Sequence, residues 1–357
     1  MDLDPKTLPQ RYGPKEVKAL TLDRQVGALR FSPCGKVLAA GGCDATVRRW
    51  DATSDAFAPL PPLTGHDGWV QALAFHPDER RLFSADSWGR LSCWPYADKE
   101  AKPLWSIAQA HDGWVRCLAV SPDGKRLASC GRDRAMRLWS DDGKKQQELA
   151  AGEDVYAVAF HPDGKSLVSG DLQGVVKVWD PATGKAVREF DARTLYFFER
   201  LQDVGGVRCL AFDRACTTLA VGGSLPKSGG FVQGIPTLLL FDWATGKLRQ
   251  TLKGANDNEG FVLDVHFHPD GFVMAVTSGQ PGQGKFFFQR PEDAQPFFVT
   301  TKMANCHALA VHPNGTRLAV AATNANSNGN GRRLGPNKEY PDNWSPVHVW
   351  DVPKPGK

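Results

Sequence analysis

Three residue types able to do chemistry lie close together in this 357-residue chain: His111, Ser129 and Asp133. They are the parts of a hydrolytic relay, in which an imidazole takes a hydroxyl proton and a carboxylate orients the imidazole. The serine, however, stands in RLASCGRD, not in the G-x-S-x-G turn that lifts such a nucleophile clear of a sheet. Other sets are weaker. His76, His161, His268 and His312 recur at separate turns, and metal ligands must converge within about 2 Å of one ion. His266 and His268 alternate on one strand-like run without a third ligand. Among Cys34, Cys43, Cys93, Cys117, Cys130, Cys209, Cys216 and Cys306 no pair forms CxxC. SGGFVQG and GQPGQG lack the Lys-Ser/Thr of a phosphate loop. Arg332, Arg333 and Lys338 sit in GNGRRLGPNK, where a solvated loop is the default over an anion site. Neither a metal nor a cofactor is expected.

The elements that would position these residues repeat. HDGWV occurs at 66–70 and again at 111–115, and seven related stretches follow one pattern: VGALRF from Val26, VQALAF from Val70, VRCLAV from Val115, VYAVAF from Val155, VRCLAF from Val207, VLDVHF from Val262 and CHALAV from Cys306. Their last apolar anchors, Phe31, Phe75, Val120, Phe160, Phe212, Phe267 and Val311, are spaced by 44, 45, 40, 52, 55 and 44 residues. Turns such as SPDGK (121–125) and HPDGK (161–165) come next, since Pro-Asp-Gly supplies a fixed φ, a local cap and a φ > 0 position. Further short apolar runs follow, including TVRRWD (46–51) and VVKVWD (175–180), and read as strands. No strong amphipathic helix is evident.

A period of 40–45 residues with four strands and a closing Trp-Asp resembles the WD-repeat family, on Trp50-Asp51, Trp179-Asp180, Trp350-Asp351 and Gly65-His66. The turn phrases SPDGK and DPATGK look like those of bacterial members. The resemblance implies an all-β fold, a seven-bladed propeller of four-stranded antiparallel blades. The expected repeats lie near 24–64, 65–109, 110–150, 151–203, 204–258, 259–304 and 305–352, within one domain over 16–352, with tails at 1–15 and 353–357. The strand-like 16–22 is expected to complete the last blade and close the ring.

The resemblance also recasts His111, Ser129 and Asp133, with Trp139, as a structural hydrogen-bonded set. An indole N–H is a donor that needs a partner when buried, and hydroxyl, imidazole and carboxylate complete the chain. The second repeat offers His66, Ser84 and Trp94, with Trp88 at the Asp position; the first offers Asp44 and Trp50; the fourth has Gln173 at the Asp position; the fifth and sixth replace Trp with Phe241 and Phe288.

By the same resemblance, partners dock around the central channel, on the face bearing the fourth-to-first and second-to-third strand connections. Positions flanking each first strand's leading residue place Trp69, Gln71, Trp114, Arg116, Tyr156, Arg208, Phe261 and His307 there, joined by Trp88 and Arg132 from second turns. Aromatic residues and Arg are enriched at interface hot spots. Insertions at 193–206, 224–234, 278–284 and 323–346 are expected on that side, with Tyr196, Phe197 and Phe198 exposed.

The expected function is a non-catalytic protein–protein scaffold that binds a partner peptide or loop, as a monomeric propeller or a subunit of a larger complex. One alternative is a small-ligand or enzymatic channel mouth, which needs convergent acids, His or metal ligands. Another is nucleic-acid binding through Arg116, Arg132, Arg208 and the 332–338 loop. A scattered net charge of +4 gives that little support. No apolar run approaches the ~18 residues of a membrane helix. The N-terminus lacks a leader's apolar core, and the cysteines are expected as free thiols, so a cytoplasmic location is expected.

Overall fold

The computed structural model describes residues 7–199, 201–226, 234–253, 259–279, 284–300, 303–323 and 345–353. They form seven four-stranded antiparallel sheets and one two-stranded hairpin. In the third blade, Val115–Val120, Arg126–Gly131, Ala135–Ser140 and Lys145–Ala150 lie side by side in chain order. Five other blades repeat this order, and the first strands of blades one to four begin where the apolar copies begin, at Val26, Val70, Val115 and Val155. Each first strand touches the next around the ring, and the seventh touches the first.

Both faces of each middle strand are apolar, so each sheet needs cover on both sides. The cover is the neighbouring blade. Buried side chains fall into seven clusters, one per interface; Leu127 and Trp139 of blade three pack with Phe83 and Cys93 of blade two, for example. Tight turns set the strand directions. At the second turn of blade two, Gly89 has φ 91°, and a Cβ there would lie 2.0 Å from the His111 carbonyl oxygen. Its own carbonyl accepts the Ala110 N–H at 2.8 Å, tying two blades together.

Closure occurs as the sequence implied. Lys15–Leu22 pairs with Ser345–Asp351 and supplies the outer strand of a blade whose other strands are Ala304–Val311 and Arg317–Thr323. A second device acts inside the ring. Arg30 of blade one reaches past blade seven to Asp264 of blade six, at 2.8 Å. Between them lies Leu309 of blade seven. Its N–H donates to Asp264 at 3.2 Å, and its carbonyl accepts from Arg30 at 3.4 Å and from His266 Nε2 at 3.1 Å. Burial pushes the His266 pKa down, keeping the ring neutral and its Nε2–H a donor.

Two features differ from the sequence reading. Within the stretch expected as an N-terminal tail, Leu8–Tyr12 is a helix. Leu8 and Tyr12 are buried against Phe272, Phe286 and Phe288 of blade six, and the Tyr12 hydroxyl donates to Asp270 at 2.8 Å. Five residues with two apolar members are too short to display a helical period. The long connector before blade five is a hairpin, Tyr196–Glu199 with Gln202–Gly205. Phe197 and Phe198 are exposed, while Tyr196 is half-buried and donates to Asp203 at 2.6 Å.

Removing residues 1–22 should leave the edge at Ser345–Asp351 unpaired and strip cover from the Leu20 and Leu22 interface. A lowered thermal midpoint and a loss of soluble yield are expected; an unchanged melting curve would rule out this strand as the closure.

Candidate functional site

The hydrogen-bonded set expected of blade three is formed within that blade. In blade three, His111 Nδ1 lies 2.9 Å from Asp133, His111 Nε2 lies 2.6 Å from the Ser129 hydroxyl, and Trp139 Nε1 donates to that hydroxyl at 2.9 Å. Carboxylate and indole together assign the roles: Nδ1–H donates to Asp133, and Ser129 donates to Nε2 while accepting from Trp139. A serine so engaged, buried beneath an indole, is poorly placed as a nucleophile. Burial opposes ionisation of Asp133, but the bonds from His111 and Arg137 outweigh it and hold the carboxyl well below the usual range.

Blade two corrects the sequence reading. His66 bonds Ser84 at 2.6 Å, Trp94 donates to Ser84 at 2.7 Å, and the carboxylate is supplied by Asp86, 2.8 Å from His66 Nδ1. Trp88 stands at the position Asp133 holds in blade three, yet Asp86, at the end of its strand, reaches the same imidazole. Blade four keeps a fragment unforeseen from its sequence. Trp179 donates to Ser169 at 2.9 Å, and Asp171 accepts the Val175 N–H at 2.8 Å. In blade one Asp44 accepts from Thr46 and Arg48 instead, and Ala40, paired with Arg48, stands where the hydroxyl would be.

At the mouth, the residue after each leading position lines one cavity of about 170 Å³: Gly27, Gln71, Arg116, Tyr156, Arg208, Leu263 and His307. Trp69 meets Trp114 edge-on, with ring centroids 5.7 Å apart. Arg116 lies over Trp114 at 5.0 Å and over Tyr156 at 4.6 Å. Arg208 lies over Tyr156 at 3.9 Å and over Phe261 at 4.6 Å. These contacts make an unbroken stack from blade two to blade six. Arg116 also pairs with Asp154 at 3.3 Å. Burial holds the His307 pKa down to about 4, so this imidazole is neutral at physiological pH.

Of the ten residues singled out for partner binding, the structure brings seven to the mouth itself: Gln71, Trp114, Arg116, Tyr156, Arg208, Phe261 and His307. Trp69 stands beside them, 48% exposed. Trp88, 68% exposed, and Arg132 lie in second turns toward the rim. Arg30 and Asp264, deeper in the channel, were missed. The insertions at 224–234, 278–284 and 323–346 lie largely outside the described residues, but the strands they join, such as Thr218–Pro226 and Gly234–Asp242, end on the mouth side. The turn histidines serve turns. His76 Nε2 donates to the Gly124 carbonyl of the next blade at 2.8 Å, and His268 accepts the Asp270 N–H at 3.1 Å. All eight cysteines are free thiols.

The family described as WD domain, G-beta repeat matches residues 17–51, 57–95, 101–140 and 143–180. The chain folds as a seven-bladed propeller, and four of its stretches match the model of that repeat. Transducin beta-like protein 3 of Bos taurus is 29% identical over 272 residues, 72% of this chain and 31% of the relative. Telomerase Cajal body protein 1 of Homo sapiens is 32% identical over 173 residues, 46% of this chain and 24% of the relative. Nuclear distribution protein PAC1 of Arthroderma otae is 41% identical over 63 residues, 18% of this chain and 13% of the relative. The chain thus spans under a third of the length of these relatives. They are eukaryotic, so the bacterial look of the turn phrases is not borne out. The expected cytoplasmic location is likewise overturned, since one relative, telomerase Cajal body protein 1, is named for a nuclear body. No helix among the described residues is long and apolar enough to cross a membrane.

Ser129→Ala or Ser84→Ala orphans both an indole and an imidazole, whereas Ser169→Ala orphans an indole alone. At ~1–3 kcal/mol per buried orphan, urea denaturation should show about twice the destabilisation for the first two variants; equal losses would contradict the assigned roles. Because the Asp133 pKa is depressed, its contribution is complete above the unfolded value near ~4 and is lost as pH falls toward the folded value. Stability measured from about pH 5 to pH 2 should fall more steeply in the wild type than in Asp133→Asn.

Proposed function

We propose that this propeller is a non-catalytic scaffold that binds a peptide or loop of another protein on its mouth face. The observation that carries the reading is the continuous stack Trp69–Trp114–Arg116–Tyr156–Arg208–Phe261. Each Arg is held between rings, so little side-chain freedom remains to be lost when a partner arrives. Rigid aromatic and Arg anchors at a desolvated centre are where binding energy concentrates. The names of the relatives, a telomerase-associated body protein and a nuclear distribution protein among them, fit roles in assemblies. A channel of about 170 Å³ falls below the ~300–1,000 Å³ of small-molecule sites, which weighs against the ligand-binding alternative.

The test compares partners retained by immobilised wild type, by Trp114→Ala/Arg116→Ala, and by Lys125→Ala on a first turn at the opposite end of the strands. With thermal midpoints checked, the double variant should bind its main partner at least about thirtyfold more weakly, as loss of ~2 kcal/mol requires. The Lys125 variant should match wild type. Undiminished binding by the double variant would remove the stack from the interface.

A further inference from the structure

We infer that the channel mouth is a socket for a single carboxylate side chain, an Asp or Glu of the bound peptide, seated between Arg116 and Arg208. The inference rests on the mouth-face reading above and specifies what the partner must carry.

Charge is the first argument. Of the cations in the channel, Arg30 is offset by Asp264 at 2.8 Å and Arg116 by Asp154 at 3.3 Å. Arg208 makes no ion pair among the described residues. It donates to the Gly205 carbonyl at 2.7 Å and otherwise lies between the Tyr156 and Phe261 rings. His307 is neutral and adds no charge at physiological pH. One positive charge is therefore left over, in a site walled by rings and largely withdrawn from water. A buried cation without a counter-charge is costly, and a bound monoanion relieves it.

Hydrogen bonding is the second, independent argument. Three side-chain nitrogens at this mouth are shielded from solvent and have no partner: Arg116 Nε, Arg208 Nε and His307 Nε2. Buried donors are rarely left unmade in native proteins. The two guanidinium groups that carry these Nε atoms both lie against one ring, that of Tyr156. A carboxylate has two oxygens and accepts from both, in charge-assisted bonds. A fourth unmatched atom at this mouth, of opposite sense, is Asp154 Oδ1, which offers an acceptor on the blade-four side. That placement disfavours a dianionic phosphate, which would meet this carboxylate with only one uncompensated cation in hand. Size is the third argument, since about 170 Å³ suits one inserted side chain.

A random heptapeptide display library selected on the full chain tests this. Wild type should enrich peptides with Asp or Glu at one fixed position beside apolar residues. Resynthesis of the best peptide with Asn or Gln at that position should weaken binding at least tenfold. Arg208→Gln, shown folded by its circular dichroism and melting curve, should bind the acidic and amide peptides equally; Arg208→Lys, which keeps charge but not the stacked fork, should retain part of the discrimination. Enriched peptides without a fixed acidic position would overturn the socket and leave the mouth-face reading standing, provided Trp114→Ala still weakens them. An acidic preference untouched by Arg208→Gln would also overturn it. If no peptide is enriched on wild type, both readings fall together.

Discussion

A sheet that is apolar on both faces has nowhere to stop except against its own starting point, and ring closure is the constraint on which the rest of this molecule depends. Six of the seven blades are local, built from consecutive strands. The seventh joins Lys15–Leu22 to strands some three hundred residues later. That junction is fastened three times: by the strand ladder, by the apolar cluster around Leu20, Leu22 and Phe57, and by the Arg30–Asp264 pair that holds Leu309 from both sides. The ion pair is part-buried and satisfied by backbone groups as well as by its mate, which is the condition under which such a pair holds geometry. Without the ring there is no mouth, since each stacked residue comes from a different blade.

The indole positions show how each blade settles its own polar account. Where Trp94, Trp139 and Trp179 are kept, a serine stands across the strand pair: Ser84, Ser129 and Ser169. Where the equivalent residue is Val221 or Val276, the indole is replaced by Phe241 or Phe288, which needs no acceptor. Blades one and seven break the rule; in blade one Trp50 is kept although Ala40 holds the serine's place. Trp350 packs opposite Leu318 with Val320 in the serine's place, and its Nε1–H is buried without a partner. That orphan lies in the blade assembled from both ends of the described chain, where the outer strand and the inner clamp supply what the indole does not.

The sequence made the blade count, the strand order and the closing strand legible, because the same alternation recurs seven times and a repeat needs no knowledge of distant contacts. The mouth residues were legible for the same reason: they occupy one column of that repeat. What escaped was set by single exceptions. Asp86 replaces the turn aspartate from two positions earlier, and nothing local marks it as the partner of His66. Arg30, Asp264 and His266 did leave a signal, since in the aligned copies they interrupt columns otherwise filled by Ala or Cys, such as Ala74, Ala119, Ala159, Cys117 and Cys209. The Leu8–Tyr12 helix left almost none, because its stability comes from docking on Phe272 and not from its own pattern. The compartment was misjudged because free thiols are compatible with more than one reducing compartment.

The register of the closing ladder, with Lys15 opposite Asp351 and Leu22 opposite Ser345, has a mechanical meaning. The chain enters and leaves this ladder at the same end. Tension applied along the flanking polypeptide would therefore load its rungs one at a time, peeling them like a zipper, and not all together in shear. A toroid that is stiff against compression thus has a seam that yields readily to a directed pull.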